Sequence, residues 1–260
     1  MISELDIRAV ARGTHTYLQH CYFTRPFKVA DISGGRKGDL HLTMMTASPG
    51  ILDGDFYQIS ISLEKDTSVH LYTQAYQRIF NMQHGAKQRL QVKMAAGSSL
   101  YYLPHPSVPH EASIFDSISH IEMAADCRLL WGEIITCGRK LSGEVFRCSY
   151  YRNTLELWQD KRLLFKDVTI LEPVVISPVN TGQWETYSHQ ASLLWHDKQQ
   201  DMTAMGDVIH ECLSAEKDIT AGVSRTASGA LLLRVLGQGG EQLYTLFKKI
   251  ALLAGAERKL

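Results

Sequence analysis

From Leu40 to about Leu171 the chain repeatedly alternates apolar and polar residues, in short runs broken by Gly, Pro, Asp or Asn every ten to fifteen residues or so. A helix cannot put every second side chain on one face, so this pattern confines the body of the molecule to β-structure. In 56–63, Tyr57, Ile59, Ile61 and Leu63 share one face while Gln58, Ser60 and Ser62 take the other. The same period recurs at Leu90, Val92 and Met94, at Leu129, Trp131, Glu133 and Ile135, and at Leu155 and Leu157. Glu133 is the odd member. A carboxylate in register with Trp131 and Ile135 either marks where the strand leaves the core or is buried and partnered, because an unpaired buried charge is costly.

The last third changes period. Met205, Val208, Ile209, Cys212 and Leu213 recur at helical spacing after Asp201, which predicts a helix over 202–216 with Asp201 as its N-cap. Residues 229–236 read as a buried strand. Leu243, Leu246, Phe247, Ile250 and Leu253 form one helical stripe over 241–253. The expected fold class is therefore mainly β, with about two α-helices in the C-terminal region. A single domain spanning 1–260 is expected, with a β body over 1–178 and a mixed α/β end over 179–260, the seam marked by Pro173 and Pro178. No fixed-period repeat is visible. Gly34, Gly35 and Gly38 read as a loop, since no helix follows them to cradle a phosphate.

The 27 basic and 27 acidic side chains cancel, which removes the long-range field that would steer the protein to nucleic acid or an anionic membrane, and leaves proteins as the expected partners. Met1 to Val10 carries Glu4, Asp6 and Arg8 and lacks the apolar run of a signal peptide; no later stretch has the roughly 20 apolar residues of a membrane span. A cytoplasmic protein is expected. The five cysteines are odd in number and widely spaced, which predicts free thiols.

Eleven histidines invite a metal site, yet C-x-x-C, H-E-x-x-H and tight Cys/His clusters are missing from the sequence. No G-x-S-x-G elbow or phosphate-binding G-x-x-x-x-G-K-[ST] occurs. Lys248, Lys249, Arg258 and Lys259 read as a solvated helix end, where positive charge is favoured. The carboxylates carry more information. Asp53 and Asp55 flank Gly54 and read as turn residues accepting backbone hydrogen bonds, while Glu133 and Glu144 stay open, either structural or an acid and base pair.

Four segments, in order, narrow the choice: Ser48-Pro49-Gly50-Ile51-Leu52-Asp53-Gly54-Asp55; Tyr72-Thr73-Gln74-Ala75 with Arg78-Ile79-Phe80; Tyr102-Leu103-Pro104-His105-Pro106-Ser107-Val108; and Glu133 through Gly138-Arg139 to Ser142-Gly143-Glu144-Val145-Phe146. Together they resemble the UreD (UreH) urease accessory family. The resemblance implies a β-helix-like, strand-rich body with a pair of helices and no catalysed reaction. It implies binding to the accessory protein UreF, recruitment of the GTPase UreG through UreF, and docking on apo-urease so that nickel reaches the active site. Nickel is then transient cargo, with no tightly bound cofactor. Asp55, Glu133 and Glu144 match acidic positions of the family and are the candidate nickel path, which suits oxygen ligands that hold divalent ions loosely. Pro49, Gly50, Gly54, Gln74, Pro104, Pro106, Gly138, Arg139 and Gly143 match motif positions with structural roles. Ile51 stands where the family turn has a second Gly, which implies a different backbone there, because Ile does not tolerate positive φ. His105 replaces a common Gln and is a further candidate nickel contact. The rival reading is a β-rich carbohydrate-active enzyme using Glu133 and Glu144.

Overall fold

Parallel strands stacked coil upon coil organise the chain. The computed structural model describes residues 1–34 and 38–255; Gly35, Arg258 and Lys259 lie outside them. The chain begins with β1 (Ile2–Arg12), β2 (His15–Phe23) and β3 (Phe27–Asp31). It then winds through β4 (Leu40–Thr46), β5 (Phe56–Leu63), β6 (Ser68–Thr73), β7 (Gln77–Ile79), β8 (Ala86–Met94), β9 (Ser99–Leu103), β10 (Ser107–Pro109), β11 (Ile114–Met123), β12 (Arg128–Thr136) and β13 (Tyr150–Gln159). It ends with β14 (Arg162–Leu171), β15 (His189–His196), α1 (Met202–Ser214), β16 (Thr220–Arg225), β17 (Leu231–Gly237) and α2 (Gly240–Leu253).

Among the described residues, β5, β8, β11 and β13 pair in parallel within a seven-stranded sheet, and β4, β6, β9 and β12 pair in parallel within a ten-stranded one. The chain therefore crosses between sheets on each half-turn, forming the β-helix. A narrow third wall is made by β7 and β10, extended by a parallel bridge from Ile51 to Ile79. Strands running the opposite way finish the stack. β2 and β14 edge one sheet, and β3 and the hairpin-like set β15, β17 and β16 edge the other.

The backbone has a repeat that the side chains do not show. Leu40, Val69, Leu100 and Leu129 are register partners, spaced 29, 31 and 29 residues apart (40 to 69, 69 to 100, 100 to 129). On the other sheet Ile59, Leu90, Ser119 and Leu155 are spaced 31, 29 and 36 (59 to 90, 90 to 119, 119 to 155). The longer last coil holds the extra turn around Gly138 to Val145. Most inward positions require only an apolar side chain of suitable size, so coils superimpose without resembling one another in sequence.

Inward residues of both sheets, among them Leu5, Ile7, Ile61, Leu71, Val92, Ile121 and Leu129, form the main core. A second core lies outside the ten-stranded sheet, where α2 lays Leu243, Leu246, Phe247 and Ile250 against Leu103, Leu130 and Leu193. Close approach is needed there: a Cβ on Gly132 would lie 2.9 Å from Leu103 and 3.1 Å from Phe247. Asp201 caps α1 as expected, its Oδ1 accepting from the Thr203 and Ala204 amides at 2.9 and 3.3 Å. Strand β5 has the bounds read from its alternation, and both helices fall where the stripes put them. Cys21, Cys127, Cys137, Cys148 and Cys212 are free. No helix among the described residues is long and apolar enough to cross a membrane.

Candidate functional site: a polar cavity inside the β-helix

One row of inward positions breaks the apolar rule. Ser3, Tyr57, Gln88, Ser117, Asn153 and Thr169 are successive register partners across β1, β5, β8, β11, β13 and β14. Rows perpendicular to the strands run along the β-helix axis, so five interstrand steps of about 4.8 Å make a polar row roughly 24 Å long. Its members and their neighbours are linked: the Ser107 hydroxyl donates to Gln77 at 3.1 Å, Gln77 Nε2 to Gln88 at 3.2 Å, and Gln88 Nε2 to Ser117 at 3.4 Å. The hydroxyls of Ser3 and Tyr57 are buried and have no protein partner among the described residues. Such groups are costly to leave dry, which marks this row as a place for water or another polar occupant.

The row borders a cavity of about 130 Å³ between the two sheets, room for several waters. Glu133 faces it from β12. Trp131 Nε1 donates to Glu133 Oε1 at 2.9 Å, and Asn153 from the opposite sheet supplies a second hydrogen bond. The alternative left open by the sequence is thus resolved: Glu133 is enclosed by protein and partnered, and the surface it retains is cavity wall. Burial raises its pKa above the ordinary glutamate range, with those two hydrogen bonds working in the other direction. Burial likewise raises Tyr102 and Tyr151, and the nearby Glu133 charge adds to it.

The cavity opens where three of the sequence motifs converge. Gln74 and His105 line both the cavity and its outer vestibule, Pro104 lines the cavity, and Pro49, Gly50 and Glu241 line the vestibule. Gly50 is required by space: a Cβ there would lie 2.4 Å from the Arg78 carbonyl oxygen. Ile51 has an ordinary negative φ, is 2% exposed and bridges to Ile79, so the substitution extends the third wall without straining the turn. At the mouth His105 stacks on Tyr244 at 4.3 Å, and its Nδ1 lies 3.1 Å from the Thr73 hydroxyl. Burial lowers the His105 pKa, against the pull of Glu241. Glu241, in the first turn of α2, also accepts from Tyr76, whose pKa is pushed up to about 12 by burial and that carboxylate. Sequence reading passed over Glu241 because an acid in the first turn of a helix needs no other explanation.

Asp55 and Glu144 lie elsewhere. Asp55 Oδ2 accepts from the Leu52 amide at 2.9 Å in the surface turn, its Oδ1 lies 3.8 Å from the terminal ammonium of Met1, and its charge reaches Tyr57. Glu144 is clasped by Arg139, whose Nε donates at 2.9 Å, and accepts from the Glu111 amide at 3.2 Å; the Arg139 hydrogen bond holds its pKa down. Gly138, at φ 117°, lets the chain pass against the Glu144 backbone, and Gly143, at φ 79°, closes the short 3-10 turn Lys140–Ser142. Neither carboxylate lines the cavity that Glu133 faces, so Glu133 and Glu144 do not flank a common substrate space. Asp53 holds the neighbouring coil, accepting from the amides of His84 and Gly85 at 2.9 Å each.

A family model described as UreD urease accessory protein matches residues 2–259. The urease accessory protein UreD of Flavobacterium johnsoniae is 41% identical over 252 residues, covering 96% of this chain and 91% of that protein. Its counterpart in Acetivibrio thermocellus is 34% identical over 250 residues, 95% of each chain. That of Actinobacillus pleuropneumoniae serotype 3 is 32% identical over 264 residues, 98% of this chain and 97% of its own.

Proposed function

Because the chain belongs to the UreD urease accessory protein family, we propose that it is a non-catalytic cytoplasmic scaffold that binds UreF, and through it UreG, and docks on apo-urease, while nickel passes through its polar interior. The observation that carries the interior route is the Glu133 carboxyl beside the axial polar row, in a cavity whose mouth is built from the motifs. A nickel ion entering there meets oxygen donors from Glu133, Asn153, Gln77 and Gln88. Because burial disfavours the Glu133 charge, a cation arriving beside it favours the ionised carboxylate, so ion and proton compete for this side chain. Oxygen ligands of this kind hold a divalent ion weakly enough to release it, which suits cargo better than a closed thiolate site. Asp55, outside the cavity and its mouth, acts through its charge on Tyr57, and Glu144 acts at the turn it closes with Arg139.

Reconstitution of apo-urease with nickel, GTP and the other accessory proteins tests this. Activation is expected to require the chain, and Glu133→Ala is expected to lower activation several-fold while UreF still co-purifies. Asp55→Ala and Glu144→Ala, run in parallel, report the two outer carboxylates separately. Activation without the chain removes the scaffold role; full activation by Glu133→Ala removes the interior route alone.

A further inference from the structure

We propose that Asp39, His41 and His70 form a binding site for a divalent transition-metal ion on the outer face of the ten-stranded sheet, distinct from the internal cavity. The three residues are the group of His, Cys, Asp or Glu side chains that the described residues bring together, each offering a ligand atom within 4.8 Å of the others. The parallel register of β4 and β6 makes His41 and His70 neighbours on one face, and Asp39 immediately precedes β4.

Each ligand is differently held. His70 is fully buried, stacked on Tyr101 at 4.5 Å and on His41 at 4.2 Å, with its Nε2 3.3 Å from Asp39 Oδ2. That separation already matches two ligand atoms on one ion at bond lengths of roughly 2.0–2.2 Å. The ion takes the place of the hydrogen between them, and the His70 ring shifts to the tautomer protonated on Nδ1, which lies 3.5 Å from the Tyr72 hydroxyl. The rings of His41 and His70 lie 7° from parallel, so His41 must turn to aim a nitrogen at the ion. It is half-buried and Asp39 is exposed, which leaves room for that turn and open positions for water. Ring stacking along a β-helix accounts for the two imidazoles and Tyr101, but it does not call for a carboxylate at their edge. Two imidazoles and one carboxylate suit zinc, cobalt or nickel, whereas magnesium and calcium take oxygen ligands.

The interior route and this site fail independently, because the test uses the isolated full-length protein without a histidine tag. Equilibrium dialysis with zinc, and separately with nickel, is expected to show a bound equivalent whose affinity falls more than about tenfold in His41→Ala and in Asp39→Asn, and is unchanged in His210→Ala, an exposed histidine of α1. Titration of the wild-type protein with zinc, followed by the imidazole resonances of His41 and His70, gives the same answer without a variant. Zinc-dependent shifts at both rings support the site. No bound equivalent, undiminished binding in both outer variants, or an equal loss in His210→Ala overturns it.

Discussion

Trp131 and Glu133 stand two residues apart on one strand, and the indole nitrogen of the first donates to the carboxylate of the second at 2.9 Å. The pair converts a position that alternation assigns to the core into an acidic point on the wall of an internal cavity.

Glu133 should make the protein's stability fall as pH rises. Its folded-state pKa lies above the unfolded value of about 4.3, so the folded state binds more protons between those two values and loses stability across that window. Glu133→Gln removes the titrating group while keeping its shape and should flatten the profile, with equal or higher stability at neutral pH. Urea midpoints measured from pH 4 upward check this; a variant profile parallel to the wild type rules it out.

Asp53 should act in the opposite sense. The His84 side chain, with the His84, Gln83 and Gly85 amides, holds its pKa down at about 2. Its contribution is complete above the unfolded value of about 3.9 and is lost as pH falls toward 2. In Asp53→Asn, protection of the His84 and Gly85 amides against hydrogen exchange, relative to the intrinsic rate at each pH, should be lower at neutral pH and should no longer fall on acidification. Wild-type protection at both amides in the variant would count against the assignment.

Gly132 sets how closely α2 approaches the sheet. Gly132→Val should push Leu103 and Phe247 apart and cost about 1–3 kcal/mol by overpacking. Chemical denaturation reads the loss directly, and an unchanged midpoint would show that α2 can slide without penalty.

Gly50 is a steric requirement of a different kind, because the obstructing atom is a backbone carbonyl oxygen rather than a mobile side-chain end. Gly50→Ala should therefore part the third wall at the Ile51–Ile79 bridge and cost about 1–3 kcal/mol. Proteolysis at the 48–52 turn should quicken accordingly; wild-type resistance would show the wall absorbs a methyl group.

Much of this architecture was legible where chemistry is local. The alternation of Phe56–Leu63 defined a strand, Asp201 announced a helix, and Glu133 was flagged as needing a partner. What was not legible depends on the coil spacing. Tyr57, Gln88, Ser117 and Asn153 are scattered polar residues until a spacing near 30 aligns them, and His41 and His70, 29 apart, become neighbours for the same reason. Strand β1 alternates as cleanly as β5, with Leu5, Ile7 and Ala9 inward; its charged residues were read only as the lack of a leader. Glu241 needed the tertiary placement of α2 before it had anything to face.

A stack of parallel coils offers at each end a ladder of unpaired backbone groups, which another coil, from this chain or a second one, can extend without limit. Here both ends of both sheets close on strands that run against their neighbours: β2 and β14 in one, β3 and β16 in the other. Reversing direction breaks the register that an added parallel coil would have to continue. The solenoid thus terminates itself, and a fold related in geometry to fibrils is held to a finite length.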